Sequence, residues 1–166
     1  QSWFNMVRPG LLLYGALPSP ALKPYAILRN DGRFQPVLQL KSRIIQINHI
    51  PKGHFLSYGR KHMTQRDSLI ATLPIGYADG LSRHLSNKMS VLICGKKVSQ
   101  VGIICMDMCL IDVTEIPDAQ VGDEAVIFGR QQGETITVEE VAELSGTIPY
   151  ETLCAVSKRV PRVYFR

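Results

Sequence analysis

The sequence lacks most of the features that would take it out of the ordinary globular class. No apolar run approaches the roughly 20 residues that a bilayer-spanning helix needs. No segment near the start shows the basic, apolar and small-residue succession of a secretory leader. The chain begins at Gln1 and not at Met, which points to a processed or excised piece of something longer. Cysteine is scarce, and Cys94, Cys105, Cys109 and Cys154 form no C-x-x-C pair; no histidine pair stands at zinc spacing either. The first three lie in apolar, strand-like runs, so they read as buried free thiols in a reducing compartment, with no metal site and no disulfide framework. No run of five like charges occurs, which removes the basic tail of many nucleic-acid binders. There is no internal repeat and no low-complexity tract.

What is present fits a packed, turn-rich domain. The 166 residues are 45% hydrophobic and 20% charged, with 13 Gly and 10 Pro. That length gives one domain, or one domain and part of another, and so many turn formers favour short strands over a helical bundle. Net charge is +5, with small basic clusters at Lys96-Lys97 and around Lys158, Arg159 and Arg162. Such a balance suits an anionic small molecule as well as a polyanion. Only Tyr58-Gly59-Arg60-Lys61 interleaves an aromatic with basic residues in the manner of a nucleic-acid module.

Along the chain, Val7-Arg8-Pro9-Gly10 leads into a continuous apolar run at 11–14, which reads as a strand buried on both faces of a parallel sheet. A strand that had lost its sheet neighbours would leave 1–15 poorly ordered or self-associating. Residues 16–36 form a Pro-, Asn- and Gly-punctuated connection, and composition shifts near Pro36. From Val37 onward strands are expected at 37–42, 43–47, 69–75, 89–94, 101–106, 109–113, 125–129 and 160–165, with a helical turn between Gly80 and Asn87. Thr137-Val138-Glu139-Glu140 is a capping box, and apolar residues at helical spacing run from it to Gly146. Pro149 then opens a second short helix. The fold class is mainly β: a barrel-like domain over 37–166 behind a different segment at 1–36.

Leu73-Pro74-Ile75-Gly76-Tyr77-Ala78-Asp79-Gly80 is the stretch with most chemical promise. It puts a tyrosine where a buried strand meets a turn, since Asp-Gly tolerates positive φ cheaply. Such a phenol either packs or presents its hydroxyl to a site.

Several motifs in order resemble alanine racemases: Leu40-Lys41-Ser42-Arg43-Ile44, Gly76-Tyr77-Ala78-Asp79-Gly80, Val101-Gly102-Ile103-Ile104-Cys105-Met106-Asp107-Met108, Val121-Gly122-Asp123 and Arg159-Val160-Pro161-Arg162. The resemblance covers essentially the whole chain. It implies a C-terminal β-domain at 37–166, preceded at 1–36 by the end of the family's N-terminal TIM-like barrel. It further implies a cytoplasmic, homodimeric isomerase that uses pyridoxal 5′-phosphate to interconvert L- and D-alanine, for D-alanine biosynthesis and the peptidoglycan of the cell wall. No nucleic acid or membrane partner is implied.

The resemblance also distributes roles. Tyr77 matches a tyrosine that acts on one face of the substrate and serves the partner subunit's site; a phenol, with an ordinary pKa near ~10, needs tuning for that work. Arg8 matches the arginine facing the pyridine nitrogen, where a permanently protonated guanidinium limits the ring as an electron sink. Gly10 and Leu11 match amides that cradle the cofactor phosphate, and Tyr150 a phenol that binds it. Met106 matches a backbone amide at the substrate carboxylate. Asp107 and Ile148 fall at the site entrance. Taken alone, Arg8 reads as a surface or ion-paired arginine and Tyr150 as a packing aromatic, while Asp107 reads equally as a turn aspartate. Two departures stand out. Ile103 replaces an arginine lining the entrance, and the family's cofactor lysine has no counterpart, Lys41 being mid-strand. The chain alone is therefore expected to be inactive and to hold no cofactor covalently. The alternatives are a basic β-barrel module for nucleic acid or another polyanion, or a racemase domain for serine or a basic amino acid.

Overall fold

The computed structural model describes residues 5–18 and 35–165. Among the described residues ten strands and two α-helices follow one another: β1 (Leu40–Arg43), β2 (Gln46–Ile50), β3 (Phe55–Leu56), β4 (His62–Met63), β5 (Ser68–Leu73), β6 (Ser90–Ile93), β7 (Lys96–Val101), β8 (Cys109–Asp112), β9 (Glu124–Gln131), β10 (Glu134–Ile136), α1 (Val138–Ser145) and α2 (Pro149–Ala155). Eight strands make one antiparallel sheet in the order β1-β9-β6-β7-β8-β5-β2, with β10 paired to β9; β3 and β4 form a separate hairpin.

The sheet path does not close on itself, yet its two ends are consecutive in sequence. Only Ile44 and Ile45 separate β1 from β2. The Ile44 amide donates to Asp123 C=O and the Ile45 amide to Thr72 C=O, both at 3.0 Å, so the chain steps from one sheet edge to the other. That step requires the sheet to curl, which gives the barrel-like form without a closing ladder. On the two faces of the curled sheet, Ala71, Leu73, Val91, Leu92, Ile93, Ile111, Val126 and Ile127 are buried in one cluster. Each large aliphatic side chain there contributes about 1.5–3 kcal/mol through the water it sheds.

The helices cover the β9 side. Thr137 caps α1 by accepting the Glu140 amide at 3.1 Å. Gly146 stops it at φ 75 in the left-handed region. The carboxylate of Glu140 does not reach back; it pairs with Lys97 Nζ at 2.9 Å.

Three expected strands are something else. Residues 10–14 form a 3₁₀ turn (Gly10–Tyr14) with Leu11 alone buried in it, not a strand buried on both faces and left unpaired. A short apolar run does not by itself distinguish strand from helix. This segment is anchored through the Leu17 amide, which donates to Glu139 Oε1 at 2.8 Å. Of the run at 101–106, only Val101 belongs to a strand. Residues 160–165 join no strand among the described residues: Pro161 lacks a donor, and Arg162 caps the carbonyls of Val156, Ser157 and Val160. The connection expected at 16–36 lies mostly outside the described residues.

Candidate active site

Strand β5 delivers Tyr77 to the surface. After Leu73 the chain leaves the sheet through Pro74 and Ile75 and enters a 3₁₀ turn, Tyr77–Asp79. Gly76 is glycine because of what lies against it. Its backbone is extended (φ −150, ψ −162), but a Cβ there would sit 2.2 Å from Cys105 O and 2.5 Å from Met106 O. The contact brings two amides into register: Tyr77 N–H donates to Cys105 C=O and Ala78 N–H to Met106 C=O, each at 3.0 Å. The Tyr77 turn and the loop at 102–108 are thus one unit. The Tyr77 side chain is 48% exposed.

A second tyrosine, absent from the sequence-derived set of site residues, reaches the same place. Tyr58 is 74% exposed and stands in a turn (Tyr58–Arg60) whose backbone is costly. Ser57 lies at φ 62, ψ −177, a region essentially reserved for glycine, and Arg60 is also at positive φ. Such residues cost about 1–3 kcal/mol each and persist where the surroundings hold them, often at functional sites. Here Ser57 Oγ donates to Ile103 C=O at 2.9 Å and accepts the Ile103 amide at 3.1 Å. Gly102 permits the approach, since a Cβ there would be 2.6 Å from Ser57 Cβ. The one local signal of this arrangement is a lone glycine after Tyr58, too common to single out.

Tyr58, Tyr77, Ile103, Met106 and Asp107 together line a cleft of about 390 Å³, with Arg83 on its rim. Tyr58, Ile103, Cys105 and Met108 continue into a neighbouring hollow of about 460 Å³ over β8 and β5. Ile103 therefore puts an apolar wall at the junction of the two. The Met106 carbonyl is taken by Ala78, while its amide has no partner among the described residues. A free N–H beside two phenols is a ready donor for a small carboxylate. Asp107 is paired to Arg159, whose Nη2 is 2.6 Å from Asp107 Oδ1. That carboxylate and Asp79 hold the Arg159 guanidinium above its ordinary pKa.

Arg8, Gly10, Leu11, Tyr150 and Ile148 do not line this cleft. Gly10 stands at φ 57, and a Cβ there would lie 3.5 Å from the Tyr150 hydroxyl. As the first two residues of a 3₁₀ turn, Gly10 and Leu11 have amides with no partner inside it. Two N–H groups with no partner among the described residues thus stand in the turn that the Tyr150 hydroxyl approaches at Gly10. Ile148 caps α2 immediately before Pro149 and Tyr150, accepting the Glu151 and Thr152 amides. Arg8 is exposed just upstream of Gly10.

The cysteines depart from expectation in part. All four are free thiols, but of the three expected to be buried only Cys109 is in the core, Cys105 being half-buried and Cys94 exposed; Cys154 is exposed as well. Cys94 is at the tip of the β6–β7 hairpin with φ 50, where its Sγ donates to Asp123 Oδ2 at 3.7 Å. Burial, and secondarily Asp123, raises its pKa. Burial pushes the Cys109 thiol up to about 12. Among the described residues no cluster of three or more His, Cys, Asp or Glu could hold a metal ion, and no helix is long and apolar enough to cross a membrane. Lys41 is committed to an ion pair with Glu124 at 3.1 Å.

Comparison with known proteins gives a consistent result. Residues 37–164 match the family model "Alanine racemase, C-terminal domain". The chain is 45% identical over 166 residues to alanine racemase 1 of Clostridium acetobutylicum, covering 100% of this chain and 42% of that protein. It is 48% identical over 163 residues to alanine racemase 2 of Caldanaerobacter subterraneus, covering 98% of the chain and 40% of the relative. Among solved structures, alanine racemase from Bacillus anthracis with bound L-Ala-P superposes with a TM-score of 0.85 at 37% identity, over 95% of this chain and 39% of that one. The enzyme from Streptomyces lavendulae, a D-cycloserine producer, gives 0.87 at 38% identity, over 95% and 40%. The chain therefore spans about two fifths of the length of these relatives. Its sheet, its ordered motifs and these likenesses agree: the chain belongs to the alanine racemase family, as the C-terminal part of such a protein.

Proposed function

We propose that the protein containing this chain interconverts L- and D-alanine with pyridoxal 5′-phosphate, and that the chain supplies two separate half-sites. The observation that carries the reading is the cleft lined by Tyr58, Tyr77 and Met106, whose amide has no partner among the described residues. The cofactor, when bound, supplies an electron sink that acidifies the substrate's α-carbon. Everything else falls to residues. The Met106 amide takes the substrate carboxylate and fixes its orientation. A phenol beside it accepts or returns the α-proton on one face.

Of the two phenols, Tyr77 is the proton-transfer group, in keeping with the family tyrosine it matches, and Tyr58 forms the wall that narrows the cleft. The Tyr77 turn is bonded to the loop that carries Met106, through the Tyr77 amide to Cys105 C=O and the Ala78 amide to Met106 C=O, so phenol and carboxylate donor belong to one unit, whereas Tyr58 is the more exposed and borders both hollows. Asp107 and Ile103 set the mouth. In the second half-site, the Gly10 and Leu11 amides and the Tyr150 hydroxyl fit a phosphate, with Arg8 close enough in sequence to face the ring and Ile148 at its edge. The lysine that would hold the cofactor is expected outside this chain, in the barrel of which 1–36 would be the end; Lys41 is already paired. Because the cleft includes none of the cradle residues, each half-site would be completed by a second copy of the protein, as a cytoplasmic homodimer.

The test is racemisation of alanine by the full-length gene product, with serine and lysine as competing substrates. Tyr77→Phe is expected to lower kcat/KM by about 10²–10⁴-fold, the usual contribution of a positioned acid or base. Tyr58→Phe is expected to cost less than about 10-fold, mainly in KM. Cofactor absorbance should survive both. The opposite ranking would move the proton-transfer role to Tyr58, and unchanged activity in both variants would end the proposal.

A further inference from the structure

Two carboxylates from different loops of the cleft converge on one guanidinium. Arg159 Nη2 is 2.6 Å from Asp107 Oδ1, and Arg159 Nε is 3.4 Å from Asp79 Oδ1. Asp107 directly follows Met106. Asp79 ends the turn that Tyr77 opens, and it is only 8% exposed. Its other oxygen, Oδ2, accepts the Gly76 amide at 3.0 Å, and its backbone carbonyl accepts the Ser157 amide at 3.0 Å. The segment bearing Arg159 is itself fixed by Arg162, which donates to three of its carbonyls.

We propose that Arg159 is a positioning residue for the cleft: by spanning Asp79 and Asp107 it sets the separation between the Tyr77 turn and the Met106 amide. The backbone bonds from Tyr77 and Ala78 to the 102–108 loop hold the near side of this joint. On the far side the two carboxylates would repel each other without the cation. Asp79 is anchored and enclosed, so Asp107 would move, and with it the peptide of Met106. Arginine is required because its rigid fork offers Nε and Nη2 to two acceptors at once; a lysine ammonium is a point charge at the end of a flexible stem. The Arg159–Asp107 arm is about half exposed on both sides, and exposed ion pairs add little to global stability, so positional control is what that arm contributes. Its effect on turnover rests on the racemase reading, whereas its effect on the two loops does not.

The experiment uses the full-length, cofactor-loaded protein with Arg159→Lys and Arg159→Met, and Lys97→Met as a control that removes a different exposed ion pair. Amide exchange at Gly76, Tyr77 and Ala78 should quicken at least about 10-fold in both Arg159 variants and stay unchanged in the control. The kcat/KM for alanine should fall by about 10- to 100-fold, the cost of misplacing a reacting group by an ångström or less, with cofactor absorbance intact. Adding Asp107→Asn to Arg159→Lys should cost less than about fivefold more, because the two act as one unit. Wild-type exchange rates in both Arg159 variants, or full recovery of exchange and kcat/KM by lysine, would overturn the proposal. If the wild-type protein racemises nothing while exchange responds as described, the functional reading fails and the clamp stands.

Discussion

A thiol on strand β8 shows how much one position depends on its surroundings. Cys109 faces the core, and burial, with a smaller effect of Cys105, raises its pKa to about 12. An unfolded cysteine titrates near ~8.5. The folded state therefore keeps its proton where the unfolded state has lost it, and this contribution is complete below the unfolded value. It disappears as pH rises through the interval up to about 12. The denaturation midpoint of the chain should thus fall more steeply above pH ~9 than that of Cys109→Val, which has no proton to lose. Parallel curves for the two proteins would show that Cys109 is not enclosed. In the same native sample at neutral pH, a maleimide should label the exposed Cys94 and Cys154 and spare Cys109. Cys94 should label more slowly than an ordinary exposed thiol, since its raised pKa leaves less thiolate.

At the scale of the element, the helix α1 is locally encoded. Thr137 supplies the cap, Gly146 the stop, and Val141 and Ala142 the buried face. Thr137→Ala should destabilise the chain by about 1 kcal/mol, the usual cost of an N-cap hydroxyl, read as a shift in denaturation midpoint without a change in slope. No shift would mean that packing alone holds the helix start. The same local legibility applies to β5, to the β6–β7 hairpin and to α2 behind Pro149, where periodicity and turn residues agree with the tertiary structure. It fails at 102–106. That run is apolar and reads as a strand, yet its amides bond to side chains far away in sequence. Gly102 N–H goes to Asn87 Oδ1 at 2.6 Å, Ile103 N–H to Ser57 Oγ at 3.1 Å, and Ile104 N–H to Ser86 Oγ at 3.0 Å. No window of neighbouring residues contains that information. The candidate site was legible to the same degree: Tyr77, Met106 and Asp107 stand in recognisable motifs, whereas Tyr58 joins them only through the Ser57–Ile103 contacts.

For the whole molecule, the separation of the cleft from the phosphate cradle makes a quantitative demand on the proposed dimer. If Tyr77 serves the partner's site while Gly10 and Tyr150 serve their own, a defect in each can be placed on different chains. Take full-length Tyr77→Phe and Tyr150→Phe proteins, each weakly active alone. In a mixed dimer one site collects both substitutions and the other collects neither. Random reassortment makes about half of the dimers mixed, and half of their sites intact, so about a quarter of wild-type activity should return on co-refolding. Sites built within single chains would give no recovery, because every site would keep one defect or the other. Recovery near a quarter would also require the two copies to exchange as folded equivalents, which follows if the curled β-sheet carrying Tyr58 and Tyr77 is the same rigid body in both.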